Sequence, residues 1–284
     1  MASLKVIKKR ITSVKSTQKI TRAMKLVSAA KLKRATERAQ QSRPYEDELS
    51  KMVTSILSDT RWNSGLAEKR ELKKVALLVF SSDRGLCGSL NANLFKAVSK
   101  RVSELSSQGV VVEIVALGKK ASDFYRKRGV PVFAAHTDLI RKGSAETMAN
   151  IAREMRILFR EQRFDAVEVF YSRFISAIAQ KPTQVQVLPF QAVGAEQSKQ
   201  CLYEPGKTEL LDSLVPMLLD FQLYRLLLES IASEHAARMA AMESATKNSK
   251  EMIERLTLLR NRARQALITK ELMEIIGGAE AISA

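Results

Sequence analysis

The chain has 284 residues, of which 27% are charged and 45% hydrophobic, and its formal net charge is +17. This composition is typical of a folded globular protein and excludes an intrinsically disordered chain. No apolar run approaches the roughly 18 residues of a membrane-spanning helix. The two cysteines, Cys87 and Cys201, stand far apart and match no metal or redox spacing, which favours a reducing compartment.

Both ends of the chain lack helix-breaking residues. Residues 1–43 contain no Gly, Pro or aromatic residue, and residues 217–276 contain no Gly or Pro. At about 1.5 Å per residue, these stretches would form helices roughly 65 and 90 Å long. Helices of that length cannot bury an apolar stripe against one small domain, so they need each other, a partner, or both.

The first helix is predicted over residues 1–62. Its apolar face begins with residues that recur every three or four positions, namely Leu4, Ile7, Ile11 and Val14. The face is predicted to continue, with a shift in phase, through Ile20, Met24 and Val27. Pro44 is predicted to bend or restart this helix, and the Gly-containing residues 63–65 to end it.

The second long helix is predicted over residues 209–284. A seam of mostly apolar or small residues steps by four and three from Leu214 to Leu267, as in a coiled coil. Three seam positions hold polar side chains, namely Arg225, His235 and Arg260. Burial of these side chains in a dry two-helix core would cost free energy of desolvation. These polar residues predict a loosely packed helix pair that also faces another surface. Gly277 and Gly278 are predicted to stop the helix.

The middle of the chain, residues 70–195, is predicted to be an open α/β, Rossmann-like sheet domain. Apolar runs at 75–80, 110–117, 130–134 and 166–171 are typical of strands, and residues 184–188 alternate like an edge strand. Helical stretches at 119–128 and 144–162 lie between them. The fold class is therefore a mixed α+β and α/β protein, with long terminal helices and a central sheet.

A glycine-bearing turn follows the first strand. It lacks the Lys-Ser/Thr pair of a P-loop and the third glycine of a dinucleotide fingerprint, so Gly85 and Gly88 are interpreted as residues that permit a tight turn. Cys87 has no nearby histidine base and is predicted to be a buried, inert thiol. No catalytic triad or metal triad is found, and the chain is predicted to have no catalysis of its own.

The charge is concentrated at the N-terminus, where residues 1–36 carry eleven Lys or Arg and no acidic residue. Such a field fits nucleic acid, an anionic lipid, an acidic protein surface, or a merely solvated basic face. A nucleic-acid-binding coiled coil is the alternative function, although this stretch has no aromatic residue and three Arg against eight Lys. A nucleotide-dependent α/β enzyme would explain the glycine turn, but no acid, base or phosphate-binding lysine is in place.

Three segments resemble the gamma subunit of F-type ATP synthases. They are residues 11–24 near the start, Ser82–Gly88 after the first strand, and 268–279 at the end, which has Ile-Thr, Glu, an acid and Gly-Ala at the family's offsets. The segments occur in the family's order and on the predicted elements. The resemblance implies that the terminal helices form an antiparallel, left-handed coiled coil, the central rotor shaft.

That resemblance also implies the partners and the mechanism. The shaft would stand inside a ring of alpha and beta subunits, which bind the nucleotides, so this chain needs no cofactor or metal. Its α/β domain would rest on the membrane-embedded c-ring beside the epsilon subunit, with delta elsewhere in the complex. Proton flow would turn the shaft and drive ATP synthesis, and the chain would bind no nucleic acid.

Particular residues match positions of known role in that family. The positions facing or hydrogen-bonding beta-subunit loops are Met24, Lys25, Arg264, Gln265 and Thr269. The positions at the c-ring and epsilon interface are Tyr203 and Glu204, and the family's turn comprises Asp83, Arg84, Gly85, Cys87 and Gly88.

Two features of plastid members of the family bear on the expected cellular location: a regulatory cysteine pair and a transit peptide. Those members carry an inserted regulatory cysteine pair, whereas Cys201 has no cysteine neighbour here, so thiol regulation of that type is not expected. The apolar periodicity continues past Pro44 with no cleavage-like break, which argues against a transit peptide. The expected location is the cytoplasmic side of a bacterial plasma membrane, as a peripheral protein.

Overall fold

The computed structural model describes residues 4–59, 62, 65–139, 143–191 and 203–283. Its contacts divide the chain into two units, one of Met1–Val27 with Met239–Ala284 and the other Ser28–Arg238. The elements follow in the order α1 (Leu4–Asp59), β1 (Lys74–Phe80), α2 (Leu90–Ser107), β2 (Val111–Leu117), α3 (Lys119–Arg126), β3 (Val132–His136), α4 (Ala145–Arg160), β4 (Ala166–Phe174), β5 (Gln180–Leu188) and α5 (Lys207–Ser283).

The larger unit contains a five-stranded sheet with the order β3-β2-β1-β4-β5. Strands β1 to β4 are parallel, and β5 runs antiparallel to β4 at one edge. The central strand β1 is apolar without interruption because both of its faces are covered, and residues 75–79 have no exposed surface. The predicted α/β sheet and its alternating edge strand are therefore confirmed.

Two apolar cores cover the two faces of the sheet. The end of α1, α4 and the start of α5 pack on one face, where the buried side chains include Val53, Ile56, Met148, Phe159, Leu219 and Leu226. Helices α2 and α3 pack on the other face, where they include Leu94, Phe95, Val98, Ala121 and Tyr125. Each fully buried large apolar side chain contributes about 1.5–3 kcal/mol, so burial on both faces is the main source of this unit's stability.

Helix α1 buries a strict heptad stripe of its own. Every seventh residue from Ile7 onward is buried or half-buried: Ile7, Val14, Thr21, Ser28, Ala35, Ser42, Leu49 and Ile56. The predicted phase shift is wrong, because Ile20 is 58% and Val27 56% exposed while small and polar residues continue the stripe. Pro44 does not divide the helix, since it lies on the exposed side, where water can hydrate the carbonyl that its ring leaves unpaired.

Helix α5 begins two residues earlier than predicted, at Lys207, and continues past the predicted stop to Ser283. Gly277 and Gly278 do not stop it, because neither adopts the left-handed conformation that ends a helix. In the smaller unit, Thr21 pairs with Thr246, and Lys25, further along α1, pairs with Glu243, which comes earlier in α5, so the two helices run antiparallel. The predicted fold class, an antiparallel pair of terminal helices with a central α/β sheet, is confirmed.

Candidate functional site

The helix pair of the smaller unit has a narrow, partly polar interface. The hydroxyl oxygens of Thr21 and Thr246 lie 2.7 Å apart across it. Nearby, Lys25 Nζ donates to Glu243 Oε1 at 2.6 Å. Lys25 and Met24 are both half-buried on α1. The ammonium predicted to face an acidic partner loop is therefore already bonded to a carboxylate of this chain, while its side chain keeps partial access to solvent.

The last part of α5 presents an exposed surface all round. Residues 264–278 are exposed at every position, so no other described part of the chain covers them. Arg264, Gln265 and Thr269 lie at its start, and the Thr269 hydroxyl donates to the backbone carbonyl of Gln265 at 3.0 Å. Large apolar side chains share this segment, with exposures from 47% to 68%: Leu267, Ile268, Leu272, Met273, Ile275 and Ile276. Exposed apolar surface of this extent marks a protein interface.

The turn after β1 is held by hydrogen bonds among its own side chains. Asn91 Nδ2 donates to Ser82 Oγ at 2.6 Å and to Cys87 Sγ at 3.4 Å. Asp83 Oδ1 accepts the backbone N–H of Lys119 at 2.9 Å, at the start of α3. The next two N–H groups of α3 are bonded to the carbonyl of Ser82 and the hydroxyl of Ser81. None of these three N–H groups at the start of α3 is free to bind a phosphate.

The two glycines of the turn differ in their roles. Gly88 has φ 59, in the left-handed region that glycine enters without strain, as predicted. Gly85 does not adopt that conformation, and a Cβ built there meets nothing within 4 Å, so the turn does not require glycine at this position. Cys87 is 3% exposed, which agrees with a buried thiol.

Arg238 of α5 joins this turn to the helix. Its Nη2 donates to the carbonyls of Arg84 and Gly85 at 3.4 and 3.3 Å, and it forms a buried ion pair with Glu234 at 2.5 Å. Burial is the largest influence on Glu234 and raises the pKa of its carboxyl, against the lowering effect of Arg238. The turn is thus docked on α5 by hydrogen bonds from the Arg238 guanidinium, which is itself paired with the buried carboxylate of Glu234.

His235 lies beside this pair and is 6% exposed. Burial, reinforced by the positive charges of Arg238 and Lys31, lowers the pKa of His235 to about 4. The imidazole is therefore neutral at physiological pH, and its Nδ1 lies 3.5 Å from Arg238 Nη1. It is a tolerated seam residue in a packed environment.

Arg225, the first polar interruption of the seam, is compensated by two carboxylates. Its Nε donates to Glu46 of α1 and its Nη1 to Glu229 of α5, both at 2.8 Å. The electrostatic cost expected for Arg225 on the seam is therefore offset within the chain. Sequence reasoning singled out Arg225 but missed Glu46, since the two are 179 positions apart and no local pattern links them.

Tyr203 and Glu204 lie just before α5. Tyr203 is half-buried against the larger apolar core, and Lys207 Nζ lies 5.3 Å from the centre of its ring. Glu204 is exposed. The structure thus gives Glu204 access to a partner and gives Tyr203 a partly structural role. Cys201 lies outside the described residues.

Two further features bear on function. Among the residues that the structure describes, no group of three or more His, Cys, Asp or Glu is placed to hold a metal ion. None of the helices in the described part of the chain is both long and apolar enough to cross a membrane.

The sequence matches a family model described as ATP synthase over residues 3–282. A relative from Geotalea uraniireducens, named ATP synthase gamma chain, is 44% identical over 286 residues, which cover 99% of each chain. Another gamma chain, from Cyanothece sp., is 39% identical over 314 residues and covers 99% of this chain and 100% of the relative. The chain therefore belongs to the ATP synthase gamma-chain family.

Solved structures agree with this assignment. The central stalk and c-ring structure of the Tetrahymena thermophila mitochondrial ATP synthase contains a chain 26% identical to this one, with a TM-score of 0.60, covering 80% of this chain and 99% of that chain. A chain of the Euglena gracilis mitochondrial enzyme, 21% identical, shares the fold with a TM-score of 0.73 over 98% of this chain and 94% of that chain.

Proposed function

We propose that this chain is the central-stalk subunit of a bacterial F-type ATP synthase and couples proton flow through a membrane c-ring to ATP synthesis by rotation. The observation that carries the proposal is the exposed end of α5, whose apolar and hydrogen-bonding side chains at 264–278 have no cover within the described chain. A surface of this kind fits a surrounding collar of partner subunits. Gamma-chain relatives and a central-stalk structure support the same function.

The proposal assigns a partner to each surface. Alpha and beta subunits surround the helix pair, and beta-subunit loops contact Met24, Lys25, Arg264, Gln265 and Thr269. The c-ring and the epsilon subunit meet the α/β domain near Tyr203 and Glu204. The functional parts are an N-terminal shaft helix over 1–62, a foot domain over 70–195 and a C-terminal shaft helix over 209–284.

The chain carries no catalysis and no cofactor of its own in this proposal. Nucleotides bind to the alpha and beta subunits, and the chain acts on them by rotating an asymmetric surface past each beta subunit. The complex is attached to the bacterial plasma membrane, with this chain as a peripheral component on the cytoplasmic side.

The test is purification of the complex from its native membrane through a tag on this chain. Co-purification of alpha, beta and epsilon subunits with an ATPase activity, together with no ATP turnover by the isolated chain, is the expected result. Turnover by the pure chain, resistant to inhibitors of the assembled enzyme, would contradict the proposal.

A further inference from the structure

The cluster around Arg225 connects three elements of the larger unit. Glu46 belongs to α1, Arg225 and Glu229 belong to α5, and Tyr171 of β4 lies close enough for its pKa to be raised, mainly by burial and then by the charge of Glu229. The side chains of Arg225, Glu46 and Glu229 are 28%, 13% and 12% exposed. The cluster is therefore shielded from the water and salt that weaken ion pairs at a surface.

The contacts of α5 around this cluster are otherwise apolar. Leu223, Leu226 and Leu227 are each at most 2% exposed and pack in the core between the helices and the sheet. Apolar contacts resist separation and interdigitate, but they are non-directional and join no particular pair of atoms. Charge-assisted hydrogen bonds of a guanidinium have a fixed geometry and oppose both sliding and rotation.

The guanidinium of Arg225 is held from both sides. Its Nε bond reaches across to α1, whereas its Nη1 bond returns to α5 one turn further along. The bond to Glu229 orients the planar guanidinium of Arg225. The bond to Glu46 then constrains the angle of α5 relative to α1. Glu229 is in turn next to the sheet through Tyr171. Arg225 thus adds two directional bonds to the apolar packing of α5, and one of them reaches α1.

We propose that Arg225 is a positioning residue for rotary coupling, which locks α5 to α1 through Glu46 and carries torque between the α/β domain and the C-terminal helix. This inference rests on the proposed function. The ion pair makes this part of the stalk stiff in torsion, so that α5 turns with the domain instead of twisting within it.

The test compares two variants in order to distinguish an effect on the torsional stiffness of the stalk from an effect on the stability of the fold. Arg225→Met removes the charge and the donors but leaves two buried carboxylates without their cation, which destabilises the fold. The triple variant Arg225→Met, Glu46→Gln and Glu229→Gln removes all three charges, keeps the shape of both Glu side chains and leaves no buried carboxylate unpaired. Lys100→Met is the matched control, because it removes a cation from an exposed pair with Glu104, whose side chains are 81% and 45% exposed.

Each chain is assembled with its alpha and beta subunits, and the head is immobilised. A bead is attached to a cysteine introduced at the exposed position Lys127, in a Cys201→Ser background, and its angular fluctuation is recorded without ATP. ATP-driven rotation of the bead by the unaltered chain tests the proposed function separately, and its absence would refute that function whatever the variants do.

A wider angular distribution for the triple variant, with retained ATP hydrolysis and an unchanged Lys100→Met control, is the expected result. An unchanged width for the triple variant would overturn the inference, because packing alone would then set the stiffness. Failure of the triple variant to assemble would also overturn it, since the cluster would then serve folding and not torsion.

Discussion

Thr21 and Thr246 meet across the helix pair with their hydroxyl oxygens 2.7 Å apart. Each hydroxyl also has a carbonyl of its own helix within reach, Gln18 for Thr21 and Met242 for Thr246. The pair therefore closes a short hydrogen-bonded chain inside the interface. Such a contact specifies the register of the two helices more strictly than an apolar contact does.

Thr246→Val is expected to lower the free energy of unfolding by about 0.5–1.5 kcal/mol, the net value of one hydrogen bond. Urea unfolding of the full chain, followed by circular dichroism, measures this change. The double variant with Thr21→Val should cost less than the sum of the two single changes, because the contact is lost once. Thr12→Val is the control, since the exposed Thr12 hydroxyl bonds to the carbonyl of Lys8. Additive costs would show that the two hydroxyls do not interact.

Gly118→Ala is expected to destabilise the α/β domain severely. Gly118 has φ +118, and a Cβ there would lie 2.0 Å from the backbone oxygen of Ser81 at the end of β1. The strained backbone alone costs about 1–3 kcal/mol, and the clash with a fixed carbonyl adds to it. Thermal unfolding measures the loss, with Gly85→Ala as the near-neutral control. Equal melting temperatures for the two variants would refute the close approach of β1 and Gly118.

Replacement of Arg264, Gln265 and Thr269 by alanine is expected to impair assembly and ATP turnover of the complex while leaving the helix content of the free chain unchanged. The three side chains are exposed at the start of the uncovered segment of α5. Each neutral hydrogen bond to a partner is worth about 0.5–1.5 kcal/mol, and a bond from the arginine about 1.5–3 kcal/mol. Steady-state ATPase assays measure the loss, and circular dichroism is the control. Unaltered assembly and turnover would mean that other residues contact the beta subunit.

His235 is expected to make the chain less stable as the pH falls. The folded state lowers the pKa of His235 to about 4 from the ordinary value of 6.5, so between these values the unfolded state takes up more protons. The free energy of unfolding therefore falls by about 3 kcal/mol from pH 6.5 to pH 4. Below pH 4, His235 lowers it no further. Unfolding free energies of the unaltered chain and His235→Gln, measured across this range, give the difference.

The comparison with His235→Gln is needed because other groups titrate in the opposite direction. Burial raises the pKa of Glu46 and Glu234 in the folded state, which adds stability as the pH falls through their range. These carboxyls are present in both chains, so their contribution is shared. An equal pH dependence of the two chains would show that His235 is solvated in the folded state.

Local sequence patterns account for the two kinds of structure in this protein, the long terminal helices and the central sheet. The uninterrupted helix-forming ends and the apolar runs of the middle reflect local preferences, and a local preference can be predicted from neighbouring residues. The buried strand β1 and the edge strand β5 follow from whether a run is continuously apolar or alternates. The three segments that resemble the family can also be identified from the sequence alone. The same holds for the polar patch of Arg264, Gln265 and Thr269.

The packing of the helices, which only the tertiary structure shows, determines which polar side chains are buried and which groups pair with them. The stripe of α1 runs through Thr21 and Ser28 and leaves Ile20 exposed, because the partner helix selects a seven-residue repeat and not the most apolar face. Arg225 is satisfied by Glu46, a residue 179 positions away. Pairings at that distance depend on how the helices pack, and neither propensity nor periodicity encodes them.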